Sequence, residues 1–246
     1  ASIWFYIRNI TYEGIMENYA KANKIAEGAA LMTDTKFTSR ILGTAWPRHF
    51  NKVIAEEMYE NIKSVGLPEW SDNDQTLAKA VQKELGLSQD GLPLKIGKIG
   101  EPLPYTVSGG SDDIGDISWK VPTVTLRFPS NIPNVTFHHW SSAIAMATPI
   151  AHKGANAGAK VVAMTTLDFL LKPDKLDQAK DYFENVQKNE TEYRPMISEN
   201  DPPAIYLNKE IMEKYKSQLE EFYFDETKYD TYLDQLGVKY PTVKED

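Results

Sequence analysis

Residues 2–8, Ser2-Ile3-Trp4-Phe5-Tyr6-Ile7-Arg8, set Ile3, Phe5 and Ile7 on one side of an extended chain and Trp4, Tyr6 and Arg8 on the other. Period-two alternation of this kind is the mark of a β-strand. Thr11 then reads as an N-cap, and Ile15, Tyr19, Ala22, Ala26 and Ala29 recur at steps of four and three, giving one apolar helical stripe to about Met32. Residues 35–42 alternate again. The reading is a β-α-β unit with a right-handed crossover, its helix covering one face of a small sheet. Three elements make a thin layer, so strands from elsewhere are expected to complete that sheet. The fold class expected on this basis is α/β.

Helical patterns come next. Ile54, Met58, Ile62 and Val65 share one face of a helix over 53–65, stopped by Gly66 and Pro68. Ser71 with Asp74 three residues on forms a capping box for a helix ending at Leu85-Gly86. Residues 87–110 are rich in Gly and Pro and read as irregular; a loop of that length inside a compact domain is usually functional. An apolar strand is expected over 121–128. Gly154, Ala155, Ala157, Gly158 and Ala159 make the start of the next helix, 149–171, suited to close backbone approach against a sheet, and its apolar remainder is expected to be buried. An amphipathic helix is expected from Asp174 to about Gln187, and another from Asn208.

The 246 residues carry 35 acidic and 27 basic side chains, a formal charge of −8, with no cluster of Lys and Arg, which argues against a nucleic-acid partner. No run approaches the roughly 20 apolar residues of a membrane span. Small-molecule or protein partners are expected instead. Zero cysteines exclude disulfides and thiolate ligands, so any metal must rest on carboxylates and on His49, His138, His139 and His152. The chain opens on Ala1 within a strand pattern, with no leader and no methionine, and is therefore expected to be a piece of something longer.

Three stretches carry candidate chemistry. Residues 109–119, Gly109-Gly110-Ser111-Asp112-Asp113-Ile114-Gly115-Asp116-Ile117-Ser118-Trp119, set three carboxylates among three glycines. Such a loop can ligate a metal or hold a ligating histidine, and it can equally be a tight turn whose Asp and Gly accept turn geometry. Phe137-His138-His139-Trp140 holds two adjacent imidazoles that would leave an extended backbone on opposite sides, so only one of them could reach an ion. His152 sits in the first turn of the helix over 149–171, either serving a site there or bonded to the backbone. His49 has no companion in the sequence. The pairs Glu56-Glu57 and Glu220-Glu221 read as solvated helix surface. No His-Glu-x-x-His, Gly-x-Ser-x-Gly or phosphate-loop pattern is present, so no complete active site is legible.

The runs Ile25-Ala26-Glu27-Gly28-Ala29-Ala30-Leu31-Met32-Thr33, the stretch 110–123 and Ile150-Ala151-His152-Lys153-Gly154, in that order, resemble the zinc aminoacylase and carboxypeptidase family of metal-dependent amidohydrolases. Tyr193-Arg194-Pro195-Met196-Ile197 and Pro202-Pro203 fit the same pattern. The resemblance implies part of an α/β metallopeptidase-type catalytic domain, residues 46–246, with half of a two-layer α+β lid and dimerisation domain, residues 1–45. It implies a cytoplasmic homodimer that hydrolyses an amide to an amino acid such as glutamate, using zinc or manganese, two ions in the complete enzyme. It also implies that most ligands and the general base lie in an N-terminal half that precedes this chain, which alone would be inactive. By position the ligand contributed here is His138; the family usually shows His-Ser-Trp where this chain has His138-His139-Trp140, which keeps His139 as a rival. Asp113 and Asp116 would line the site. A dipeptidase or N-acyl amino acid hydrolase of the same family, or a non-catalytic partner subunit, are the alternatives.

Overall fold

Helix α1, Tyr12–Met32, starts where Thr11 stops being extended and its hydroxyl accepts the Gly14 N–H, and it runs through the Ala-rich stripe to Thr33. The structure is a computed structural model that describes residues 1–101, 110–200 and 202–243. The further helices are α2 (Lys52–Val65), α3 (Asp72–Glu84), α4 (Ile114–Ser118), α5 (Trp140–Ile144), α6 (Pro149–Leu171), α7 (Pro173–Asn185), α8 (Lys209–Glu220) and α9 (Tyr232–Gln235). Short 3-10 turns occupy 145–147, 187–189 and 204–208.

Among the described residues there is no strand, so the expected α/β class is corrected to all-α. The segments 2–8, 35–42 and 121–128 form no ladder. Alternation makes a strand only when backbone N–H and C=O groups find a partner chain. Among the described residues no strand pairs with 2–8, and side chains on both faces stay exposed: Ile3 at 77% and Phe5 at 74%, beside Trp4 at 70% and Tyr6 at 91%. Helices close their own hydrogen bonds locally, which is why the helical stripes survive where the strands do not.

The chain divides into two units. The first comprises Ala1–Lys52, Glu101–Val124 and Gln178–Glu210; the second comprises Val53–Gly100, Thr125–Asp177 and Ile211–Asp246.

In the second unit α3 presents Leu77, Ala78 and Val81 to Leu92, Ile132, Val135, Ala145 and Ile150. The expected capping box is present: the Ser71 hydroxyl accepts the Asp74 N–H at 3.3 Å, and Asp74 accepts the Ser71 N–H at 2.8 Å. Asp74 is fully buried and also takes the Lys153 ammonium at 2.7 Å and the Tyr240 hydroxyl at 2.7 Å. Burial alone would raise its pKa, but Lys153, the Ser71 amide and Tyr240 outweigh that and hold it below the usual carboxylate range. Tyr240 responds in kind, pushed up by burial and then by the neighbouring carboxylate.

Helix α6 does use small residues for close approach, though not to a sheet. A Cβ on Gly154 would stand 2.0 Å from the Pro129 carbonyl oxygen and 2.5 Å from the Ser130 Cα. Its first half buries Ile150, Ala151, Ala157 and Val161, whereas Leu170 and Leu171 near its end are 73% and 76% exposed, against the expectation of a wholly buried helix. Glu57, expected on a solvated face, is buried between Lys172 at 3.0 Å and Lys175 at 3.1 Å. The Lys172 bond leads the effects that hold its carboxyl below the usual range.

The Asp74 cluster carries a pH signature. A carboxylate with a depressed folded pKa adds stability above its unfolded value and loses it as pH falls through the folded one. Lys153→Met, which strands a buried charge, is expected to lower the unfolding free energy by about 3 kcal/mol at pH 7. In urea titrations that deficit should shrink as pH falls through the folded pKa of Asp74, which lies below the usual carboxylate range, because the carboxyl there takes up a proton.

Candidate functional site

The acidic stretch folds as a turn of helix rather than an open loop. Gly109, its first residue, lies outside the described residues. Helix α4 begins after Asp113, whose backbone is already helical (φ −66°, ψ −10°) and whose side chain makes no cap bond. What fixes α4 is its fit against residues 46–49. A Cβ on Gly115 would meet the Trp46 carbonyl oxygen at 1.9 Å, so only glycine allows this approach.

Asp116 ties the two segments together. One of its oxygens accepts the Trp46 N–H at 3.1 Å and the other accepts the Tyr193 hydroxyl at 3.0 Å. The Ser118 hydroxyl donates to the Gly115 carbonyl at 2.6 Å and accepts the His49 N–H at 3.2 Å. The Trp119 indole donates to the Pro47 carbonyl at 2.7 Å. Trp46, 3% exposed, stacks on Tyr12 at 4.7 Å, meets Trp119 edge-on at 5.7 Å and Tyr193 at 5.0 Å, and its indole N–H donates to the Arg194 carbonyl at 2.8 Å. Burial, then the Asp116 bond and its charge, push the Tyr193 phenol above its ordinary pKa.

Beside this cluster Trp119, Lys120, Phe183, Glu184, Lys188, Thr191, Glu192 and Tyr193 line a cavity of about 310 Å³. That is the lower end of the size range of small-molecule pockets. His49, to which the sequence assigns no role, lies between Trp119 at 5.6 Å and Tyr182 at 6.3 Å with its Nε2 3.1 Å from Glu190 Oε1. Glu190 is 141 residues away in sequence, so no local spacing signals the pair.

The remaining expected site residues belong to the second unit. His138 is exposed and takes a left-handed backbone conformation, φ +58°, so the extended geometry expected across the histidine pair does not hold there. His139 is extended and caps α5: its Nδ1 accepts the Ser141 N–H at 3.4 Å and lies 2.9 Å from the Ser141 hydroxyl. His152 is exposed in the first turn of α6. Asp113 and Asp116 thus lie in the first unit and His138, His139 and His152 in the second. Among the described residues no three His, Cys, Asp or Glu side chains group so as to hold a metal ion.

Asp113 and Asp116, three residues apart, should separate cleanly in mutagenesis. Asp116→Ala strips Trp46 and Tyr193 of their acceptor and is expected to cost about 2–4 kcal/mol. Asp113→Ala, at an exposed position without a cap bond, should stay within about 0.5 kcal/mol. Chemical denaturation followed by tryptophan fluorescence measures both.

Compared with known proteins, the chain matches no family model. No solved structure matches it. It is similar to the B subunit of p-aminobenzoyl-glutamate hydrolase from Escherichia coli (strain K12), with 28% identity over 227 aligned positions that cover 83% of this chain and 47% of that protein. The chain thus spans about half the length of the curated relative it matches.

Proposed function

We propose that the chain forms the C-terminal portion of a metal-dependent amidohydrolase that cleaves an amide to an amino acid, with p-aminobenzoyl-glutamate as substrate. The observation that carries this reading is the similarity to the hydrolase subunit across 83% of the chain. In this reading residues 46–246 belong to the catalytic part of a cytoplasmic enzyme, and residues 1–45 to its lid and homodimer contact. Among the described residues no helix is long and apolar enough to cross a membrane.

His138 is the metal ligand that the chain contributes, to zinc or manganese, and the other ligands and the general base come from outside these residues. One feature supports His138 over His139: both residues are exposed, but His139 spends Nδ1 on capping α5. Asp113 faces solvent and can meet a substrate; Asp116, bonded to Trp46 and Tyr193, serves as a positioning residue for the wall they form. Self-association through 1–45 draws support from α1, which buries none of its residues and leaves Ile25, Leu31 and Met32 exposed.

The test is glutamate release from p-aminobenzoyl-glutamate by the protein as its gene encodes it, loaded with zinc or manganese, beside a panel of dipeptides and N-acyl amino acids. The expected result is turnover of the aminobenzoyl substrate, with this chain alone inactive. Preference for a dipeptide would assign the sister activity, and no hydrolysis of any of them would overturn the enzyme reading in favour of a non-catalytic subunit. In the same protein His138→Ala should lose bound metal and about a hundredfold or more in kcat, while His139→Ala keeps its metal. Ile25→Glu with Leu31→Glu should turn the dimer into monomers in sedimentation velocity.

A further inference from the structure

We propose that the cavity beside Trp119 and Tyr193 binds a small aromatic carboxylate. The cavity holds about 310 Å³, room for a one-ring acid with some of its water. Its walls include three aromatic rings, Trp119, Phe183 and Tyr193. Two of these are fixed: the Trp119 indole donates to the Pro47 carbonyl, and the Tyr193 hydroxyl to Asp116. A rigid aromatic wall accepts a planar ring at little entropic cost.

The charges select the sign of the ligand. Glu184 is paired with Lys188 at 2.6 Å and Glu192 with Arg194 at 2.8 Å, so both acids at the cavity are already compensated. Lys120 differs: its ammonium lies 4.6 Å from the centre of the Tyr193 ring, with no carboxylate partner among the described residues. An ammonium has three donors, and an aromatic face attracts it without supplying a counter-charge. The cavity therefore carries one uncompensated cation next to an apolar wall. A monoanion with a flat apolar body fits both features; a cationic ligand meets repulsion from Lys120, and an acid without a ring leaves the wall unused. The inference rests on this cavity alone and stands whether or not the hydrolase reading does.

Isothermal titration of the chain with benzoate tests it, with cyclohexanecarboxylate and benzylamine as controls. Benzoate should bind saturably with a dissociation constant of about 1 mM or tighter, cyclohexanecarboxylate more weakly and benzylamine not at all. Lys120→Gln, at an exposed position whose loss leaves the fold intact by circular dichroism, should weaken benzoate at least about tenfold. Lys120→Arg, which keeps the charge, should stay within about threefold. Absence of saturable benzoate binding at 10 mM (about ten times the expected constant), equal binding by Lys120→Gln, or equal binding of benzylamine would each overturn the proposal.

Discussion

The contact between Gly115 and the Trp46 carbonyl sets the geometry on which the first unit depends. Because no Cβ intervenes, α4 lies directly on the backbone of residues 46–49, and only then can Asp116 reach the Trp46 amide and Ser118 the His49 amide. Trp46 is thereby buried as the centre of a ring cluster with Tyr12, Trp119 and Tyr193, three residues drawn from distant parts of the chain. A carboxylate drawn out of water costs free energy unless its oxygens are satisfied. Here both oxygens have donors, so the same group that joins the segments also fixes the tyrosine that walls the cavity.

The second unit solves a similar problem with a different acid. Asp74 begins as a capping residue of α3, a role readable from four residues of sequence, and then collects Lys153 from α6 and Tyr240 from near the C-terminus. One carboxylate thus caps the start of a helix and ties two remote segments to it. Lys172 and Lys175 do the converse for α2, closing on Glu57, while Asn61 donates to Asp168 at 2.7 Å and Thr165 at 3.2 Å. Polar side chains, not only apolar stripes, decide which helices meet.

Local signals were legible and partner-dependent ones were not. The Thr11 cap, the Ser71 and Asp74 box and the Ala/Gly face of α6 are set by residues within one or two turns, and each appears where its spacing places it. The strands expected over 2–8, 35–42 and 121–128 failed because alternation says nothing about whether a neighbouring strand exists. At the site, the acidic stretch stood out in the sequence, but its neighbours could not be read: Tyr193 lies 77 residues from Asp116, and Glu190 lies 141 from His49. The histidine pair shows the same divide. Its polar character was evident, whereas the left-handed turn at His138 and the use of His139 as a cap follow from how the chain enters α5.

Asp116 holds the first unit together through the Trp46 amide. Hydrogen exchange at that single amide, followed by nuclear magnetic resonance in the native protein and in Asp116→Asn, tests this most directly. A bonded amide in a 3% exposed residue should exchange only when the unit opens, and losing the charged acceptor should speed its exchange by about tenfold or more. A Trp46 amide that exchanges as fast as an exposed one, or at the same slow rate in both proteins, would contradict the account.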